Sequence, residues 1–432
     1  SLFHNFSVCT FASIINLSNS PIHSSKMMMN SKLNNTTGGA SDISSVPSAI
    51  VSDDDESLSS QSFAFEEVLV EPHTGYKKVL VTGGAGFIGS HVADRLLERG
   101  DDVVIVDEMN DYYDVQIKQA NINGLLSKYG PERVSVYYGD ICDESFMLQM
   151  WDKERPEWVC HLAARAGVRP SIQDPFVYIH SNIKGTTQLM ELCHRFQVQN
   201  FVFASSSSVY GRSRSTYFSE DEKLDHPDSP YAATKKACEL LSYTYHHLYD
   251  LNVTGLRFFT VYGPRGRPDM APFKFIDRIS RGLEIQKFGD GTSSRDYTYI
   301  DDIVDGVVRS IDRRHKYQIF NLGKGDGTSL NEFIGLVEKY TEKKAIIRNQ
   351  LDQPGDVPYT CADVRKAKRM LGYTAKVSFE EGIRRTVEWY KKAHDMSEQL
   401  IEICPERQAN GFGRAPSFVN LEQALCAHNG NQ

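Results

Sequence analysis

From Tyr76 onward, short runs of β-branched and other apolar residues alternate with longer segments in which apolar residues recur every three or four positions. The short runs predict strands and the longer segments predict helices. Six strands are predicted, at residues 78–82, 103–107, 134–138, 158–163, 201–204 and 253–258; the clearest helices are 89–99, 176–196 and 231–249. This alternation indicates the α/β class, with a Rossmann-type doubly wound parallel sheet whose ligands bind at the carboxyl ends of its strands.

Beyond residue 258 the rhythm loosens into a loop at 262–272, a helix, a short strand at 284–288 and mixed elements to about 392. This pattern predicts a smaller α/β substrate-binding lobe over 259–392, beside a Rossmann domain over 75–258. Segments after residue 258 can also add to the Rossmann domain. Residues 1–74, rich in Ser, Asn, Thr and Asp, are expected to be a disordered leader, with the native start near Met27. Residues 393–432 have weak periodicity and are expected to be a tail.

Composition narrows the classes of partner. The net charge of −8 comes from interspersed acids and bases, so no nucleic-acid footprint is expected. The longest apolar stretch of the leader, 8–17, is well short of the roughly 18 residues that span a bilayer, so no membrane segment is expected, while a cleaved targeting peptide stays open. The eight cysteines have no CxxC pair, which favours a reducing, cytoplasmic location and predicts neither a metal site nor a disulfide framework.

A glycine-rich turn follows the first predicted strand. Gly83, Gly86 and Gly89 stand between that strand and a helix, where backbone amides and the helix N-terminus can approach a diphosphate. Three glycines also make plain strand-to-helix turns, and the flanking elements tip the balance toward a dinucleotide. Asp107, at the end of the second strand, is placed to accept hydrogen bonds from an adenosine ribose, and its charge favours NAD over NADP.

Asp140 ends the third strand and is predicted to bind the adenine amine. For Asp107 and Asp140 alike, an aspartate that merely starts a turn remains the alternative.

Further along the chain, Ser206, Tyr231 and Lys235 make a candidate catalytic set. Tyr231 and Lys235 are four residues apart and therefore on one helix face. A neighbouring ammonium and a positive nicotinamide ring favour the phenolate, so Tyr231 is predicted to be the base, Lys235 its electrostatic partner and Ser206 a hydrogen-bond donor to the reacting oxygen. Ser229 as N-cap and Pro230 predict where this helix begins.

The glycine spacing, the run His161-Leu-Ala-Ala164, Ser206 and the Tyr-x-x-x-Lys pair together resemble the extended short-chain dehydrogenase/reductase family over residues 76–390. The resemblance implies that further residues bind NAD: Phe87, Ile88, Ile141, Leu162, Ala163 and Ala164. Members that dehydrate or decarboxylate their sugar nucleotide carry acids directly after the catalytic hydroxyl residue. This chain has Ser207 and Ser208 there, so return of the hydride is the expected outcome.

Within that family the chain is most similar to UDP-glucuronate 4-epimerases. The similarity rests on the runs at 110–114, 164–171, 205–211, 256–264, 266–270 and 295–302. It implies that the substrate carboxylate contacts Ser207, Ser208, Thr260 and Arg267, and that Arg295 pairs with the diphosphate. Arg169 and, for the uridine ribose, Asp356 are further substrate-binding candidates. Arg165 and Arg265 depart from the pattern, which usually has Gln and often has Trp at those positions.

These observations predict an NAD-dependent isomerase that inverts carbon four of UDP-glucuronate, giving UDP-galacturonate, through a 4-keto intermediate. The same chemistry on a neutral UDP-sugar is the nearest alternative, and a non-enzymatic NAD-binding regulator is a more distant one. The resemblance also implies a homodimer, joined through the helices predicted at 176–196 and 231–249.

Overall fold

The computed structural model describes residues 69–351 and 359–403. Its centre is a parallel sheet of seven strands: β1 Lys78–Thr82, β2 Asp102–Asp107, β3 Val134–Tyr138, β4 Trp158–His161, β5 Asn200–Ser206, β6 Val253–Phe258 and, numbered here by its place in the chain, β11 Tyr317–Leu322. The spatial order is β11-β6-β5-β4-β1-β2-β3, so the order reverses beside β1. The predicted α/β class and doubly wound sheet are therefore confirmed.

The seventh strand was missed by the sequence pattern. Tyr317–Leu322 pairs in parallel with β6, from Tyr317 opposite Val253 to Leu322 opposite Phe258. The run is short and stands within a region of mixed elements, so its own periodicity gives no sign of the partner strand. Residues beyond 258 thus return to the main sheet, and the division of the chain into two domains stays a prediction.

Helices cover both faces of the sheet. One face carries α1 Phe87–Glu98, α2 Val115–Tyr129 and α9 Ile300–Asp312, whose apolar residues share a core cluster with Val79, Val81 and Ile105. The other face carries α3 Glu144–Glu154, α6 Gly185–Arg195 and α7 Pro230–Tyr249, packed around Leu80 and Val104. Alternate residues of β1 therefore enter opposite layers, as a strand buried on both faces requires.

The prediction of a single helix at 176–196 was wrong. The structure divides this stretch into α5 Pro175–Tyr178, a π-helical turn Ile179–Lys184 and α6, and a short α4 Val168–Gln173 precedes them. Apolar spacing does not distinguish a π turn from an α turn over so few residues. The π turn carries Asn182, whose side chain donates to Thr234 on α7. Such turns are frequent at functional sites.

Smaller elements fill the remainder. β7 Thr260–Tyr262 pairs with β10 Tyr297–Tyr299, β8 Glu284–Phe288 with β13 Ile346–Gln350, and β9 Ser294–Arg295 with β12 Thr328–Ser329. The helices here are α8 Ala271–Ser280, α10 Leu330–Thr341, α11 Arg365–Leu371 and α12 Phe379–Ile403. The predicted strand at 284–288 is confirmed, and α12 continues into the stretch expected to be a tail. Within the described ranges no helix is both long and apolar enough to cross a membrane.

Candidate active site

The glycine turn between β1 and α1 is tightly packed. Gly83 has φ of +71°, a left-handed conformation that favours glycine. A Cβ on Gly83 would lie 2.7 Å from the backbone nitrogen of Ala163, and one on Gly89 would lie 2.1 Å from the carbonyl oxygen of Gly83. The N-cap of α1, Gly86, has no side chain to cap the helix, so the first amides of α1 stay available to a ligand.

A cavity of about 440 Å³ lies at the carboxyl ends of β1, β2, β4 and β5. The structure brings to its wall every residue predicted to bind the cofactor: Gly83, Gly86, Phe87, Ile88, Gly89, Asp107, Asp140, Ile141, Leu162, Ala163, Ala164, Tyr231 and Lys235. Ser206 also lines it. Residues from six separate chain segments therefore converge on one space.

Asp107 is buried, and its carboxylate accepts hydrogen bonds from the backbone N–H groups of Ala85 (3.1 Å) and Met109 (2.9 Å). Burial raises the pKa of this carboxyl, while the two amides and Lys118 act in the opposite direction. Asp107 thus ties the glycine turn to the loop after β2 and also faces the cavity.

Asp140 pairs with a histidine that the sequence did not single out. Its Oδ2 lies 2.7 Å from Nε2 of His180, and its Oδ1 accepts a hydrogen bond from the amide of Cys142. Burial opposes ionisation, but these contacts prevail and lower the pKa of the Asp140 carboxyl. The Cys142 thiol donates to the His180 carbonyl, and burial raises its pKa to about 12. The three side chains lie close together, yet each is engaged within the protein.

Helix α7, which carries Tyr231 and Lys235, begins as predicted. Ser229 caps it, accepting a hydrogen bond from the amide of Ala232 at 3.1 Å, and Pro230 is its first residue. Lys235 is buried and its Nζ donates to the carbonyl oxygen of Ala204 at 2.7 Å, which ties α7 to β5. The backbone N–H of Tyr231 donates to Oγ of Ser171, and its ring packs edge-on against Tyr178.

The four serines at the end of β5 have distinct surroundings. Ser206 Oγ accepts a hydrogen bond from the amide of Ser208 and shapes the 3₁₀ turn Ser207–Tyr210. Ser207 and Ser208 line the cavity with Ser206. Ser205 also lines the cavity, and its hydroxyl donates to Oε1 of Glu239 at 2.7 Å.

Glu239 and Arg257 form a buried ion pair beneath this turn. Arg257 donates from Nε and NH2 to the two carboxylate oxygens, each at 2.8 Å, and from NH1 to the Tyr210 hydroxyl at 2.9 Å. Burial alone would raise the pKa of Glu239, but Arg257 holds it below its usual value. The sequence analysis missed this pair; the position of Glu239 one turn after Lys235 was the available signal.

Arg267 lies on the cavity wall with the other residues that were predicted to contact the substrate carboxylate. Ser207, Ser208, Thr260 and Arg267 all line the cavity that holds Ser206 and Tyr231. Arg267 donates from Nε to one oxygen of Asp269 (3.0 Å) and from NH2 to the other (2.7 Å), and its guanidinium lies 5.1 Å from the centre of the Tyr112 ring. Burial opposes the charge, but Asp269 prevails and raises the Arg267 pKa. Neither Asp269 nor Tyr112 was predicted as a support.

A second cavity, of about 1110 Å³, adjoins the first, because Thr260 and Met270 line both. Arg169 and Arg295 lie on its wall together with β8. The guanidinium of Arg169 lies 5.5 Å from the centre of the Phe288 ring, and Arg295 donates to the carbonyl of Ser294. The structure therefore places these two predicted substrate-binding residues in the neighbouring cavity and not beside Tyr231. Asp356 lies outside the described residues.

A Rossmann sheet that places a glycine turn and a Ser, Tyr and Lys set around one cavity defines the class of nicotinamide-dependent short-chain dehydrogenases/reductases. The profile of the family described as GDP-mannose 4,6 dehydratase matches residues 80–386. The chain belongs to this family, within the extended short-chain dehydrogenases/reductases, and the predicted family is confirmed.

Named relatives of the chain are 4-epimerases of UDP-sugars. The chain is 47% identical over 314 residues to UDP-glucuronate 4-epimerase of Thermodesulfobacterium geofontis, which covers 72% of this chain and 96% of that protein. The crystal structure of UDP-glucuronic acid 4-epimerase from Bacillus cereus with UDP-glucuronic acid and NAD matches with a TM-score of 0.68 at 36% identity, over 73% of this chain and 99% of that one. UDP-glucose 4-epimerase from Thermotoga maritima with UDP-glucose has the same TM-score at 35% identity, over the same shares.

Proposed function

We propose that this protein converts UDP-glucuronate to UDP-galacturonate by inverting carbon four of the sugar. The enzyme is an NAD-dependent isomerase, a 4-epimerase of UDP-sugars. The observation that carries the finer proposal is that Ser207, Ser208, Thr260 and Arg267 line the same cavity as the Ser206, Tyr231 and Lys235 set. Three hydroxyls and a guanidinium are suited to a carboxylate.

The first cavity fits a dinucleotide. Side chains at Gly83 and Gly89 would collide with backbone atoms, so the turn stays narrow enough for amides to reach a diphosphate. Asp107 faces the same space and supplies the acceptor for a ribose. NAD held by these residues would supply the hydride acceptor and donor for carbon four of the sugar.

The chain's own residues move and hold the proton. Tyr231 is the proposed base for the hydroxyl at carbon four, and Ser206 is the proposed donor that fixes the reacting oxygen. The ammonium of Lys235, held by the Ala204 carbonyl, lies one helical turn from Tyr231 and is the proposed electrostatic partner of that residue. Return of the hydride to the other face of the keto sugar would then give the epimer.

The hydroxyl groups after Ser206 favour epimerisation over elimination. Ser207 and Ser208 are not ionisable at neutral pH, so they supply no acid or base for dehydration. The 4-keto intermediate of a uronate has its carbonyl β to the carboxylate and readily loses carbon dioxide. We infer that Arg267 and the hydroxyls keep the carboxylate charged and in one orientation while the ring turns over.

The second cavity is the proposed site of the UDP moiety. Arg295 and Arg169 line it, and guanidinium groups suit the oxygens of a diphosphate. A UDP-sugar with its sugar in the first cavity and its nucleotide in the second would pass Thr260 and Met270, which line both.

A homodimer is also proposed. In the two helices expected at the interface, Leu189 and Leu192 of α6 are buried in the core, whereas Leu240 and Leu248 of α7 are 60% and 61% exposed. Phe176 on the neighbouring α5 is 77% exposed. These exposed side chains are the part of the surface that a second copy of the chain would cover.

The test is to incubate purified protein separately with UDP-glucuronate, UDP-glucose and UDP-xylose and to resolve the products. Formation of UDP-galacturonate alone is expected. Turnover of only the neutral sugars would establish the neutral-sugar alternative, which the similarity to the Thermotoga maritima enzyme favours. Binding of NAD with no turnover of any of the three would favour a regulator. Tyr231→Phe is the matched control, and full activity in that variant would refute the catalytic assignment.

A further inference from the structure

An ion pair spans the carboxyl end of β1, where the glycine turn lies. Glu108 directly follows β2, Arg165 lies in the loop after β4, and β1 is the strand between these two in the sheet. NH2 of Arg165 lies 3.1 Å from Oε1 of Glu108. Both residues line the first cavity together with Gly83 and Asp107. The pair therefore borders the space assigned to the dinucleotide.

Both partners are anchored. Asn182, on the π-helical turn, accepts a hydrogen bond from the backbone amide of Arg165 (2.9 Å) and donates to its carbonyl (3.0 Å). The same Asn182 amide group donates to Thr234, beside Lys235 on α7. On the other side, Glu108 Oε1 accepts a hydrogen bond from the Asn110 side chain at 2.6 Å. The ends of the pair thus belong to ordered parts of the site.

The Nε group of Arg165 is shielded from solvent and has no hydrogen-bond acceptor among the described residues. A buried donor of a charged group without an acceptor is costly and uncommon in folded proteins. Because Arg165 lines the cavity, the missing acceptor is expected from what the cavity binds, and a dinucleotide offers ribose and diphosphate oxygens.

We propose that Arg165 is a further cofactor-binding residue: Glu108 holds its NH2, and its Nε donates a hydrogen bond to an oxygen of the bound dinucleotide. The proposal rests on NAD as the cofactor of the proposed function. It adds an arginine contact to the helix N-terminus and Asp107, and it slows release of NAD between turnovers.

The test measures NAD release from the purified holoenzyme. After dilution into buffer with a charcoal trap for free nucleotide, the NAD remaining on the protein is followed over time. Arg165→Gln is expected to accelerate release by about 10- to 100-fold, the loss of a hydrogen bond from a charged donor. Glu108→Gln breaks the ion pair but keeps the Nε donor, so it should accelerate release by at most about fivefold.

Two further variants complete the test. Arg165→Lys keeps a positive charge opposite Glu108, which protects folding. A single ammonium cannot supply two donors at fixed positions, so release of NAD from this variant should be as fast as from Arg165→Gln. Arg309→Gln is the control, because Arg309 is a half-buried, ion-paired arginine on α9 that lines neither cavity. Its release rate should match that of the unaltered protein.

Three results would overturn the inference: release from Arg165→Gln within twofold of the unaltered protein, equal effects of Arg165→Gln and Glu108→Gln, or full retention in Arg165→Lys. Equal effects would mean that the ion pair only joins two loops. Absence of NAD from the unaltered protein, even after incubation with NAD, would instead count against the proposed function as a whole.

Discussion

The guanidinium of Arg267 has two edges with hydrogen-bond donors. Asp269 accepts from Nε and NH2, and the guanidinium lies against the Tyr112 ring. The NH1 side of the fork is the edge proposed to meet the substrate carboxylate. An arginine already held on one edge loses little further side-chain entropy when it binds.

Arg267→Met is therefore expected to lower kcat/KM for UDP-glucuronate by about 30- to 1,000-fold, corresponding to about 2–4 kcal/mol. Inhibition by UDP, which has no carboxylate, should change little. Steady-state kinetics with UDP as competitor measures both effects. Arg265→Met is the matched control, since Arg265 pairs with Asp94 and lines neither cavity. An equal loss of UDP inhibition in Arg267→Met would contradict a role specific to the carboxylate.

At the scale of elements, α7 and the end of β5 must stay in register for Ser206 and Tyr231 to meet one substrate. Lys235 connects α7 to Ala204, and Glu239 connects α7 to Ser205 and to Arg257 on β6. These contacts join three elements just beneath the cavity. The Glu239–Arg257 pair is therefore expected to position the catalytic groups without touching the substrate.

Glu239→Gln leaves the buried Arg257 charge without its partner and should cost about 3–5 kcal/mol of unfolding free energy, with loss of activity. Urea unfolding at neutral pH measures the change. Because the folded-state pKa of Glu239 is lowered, its contribution is present above the ordinary carboxyl pKa and is lost as pH falls through the lowered value. Lys236→Met removes only the more exposed contact to Glu239, at 3.2 Å, and should cost at most about 1 kcal/mol. Similar costs in the two variants would contradict the assignment.

At the scale of the whole molecule, the exposed side chains of α7 bear on assembly. Leu240→Glu combined with Leu248→Glu should convert a dimer to a monomer, because charges would be buried at the proposed interface. Light scattering coupled to size-exclusion chromatography gives the mass. Tyr138→Glu, at a residue 52% exposed on the edge strand β3, should leave the mass unchanged. A monomer before any substitution would refute the proposal.

Local spacing predicted much of the architecture and of the site. The six strands, the start of α7 and the glycine turn depend on side-chain alternation, caps and turns, which involve neighbours in the chain. Tyr231 and Lys235 share a helix face because four residues make about one turn. For the same reason the expected cofactor residues follow strand ends, and strand ends of a parallel sheet meet at one edge.

Contacts between distant segments could not be predicted from the sequence. The pairing of β11 with β6 and the ion pairs Arg165–Glu108 and Arg257–Glu239 join separate segments of the chain. The π turn within the predicted helix at 176–196 is local, but its apolar spacing resembles that of an α turn. No local pattern specifies which opposite charge a buried arginine will meet.

The sequence by itself determined the class of fold, the family and the chemical types at the site, because short-range geometry constrains them. Only the tertiary structure decided that Arg169 and Arg295 lie in a neighbouring cavity, that the Ser205 hydroxyl donates to Glu239, and that Asp269 already holds Arg267. These outcomes depend on how separately formed elements pack, since packing sets the distance and direction between side chains that the chain order leaves free.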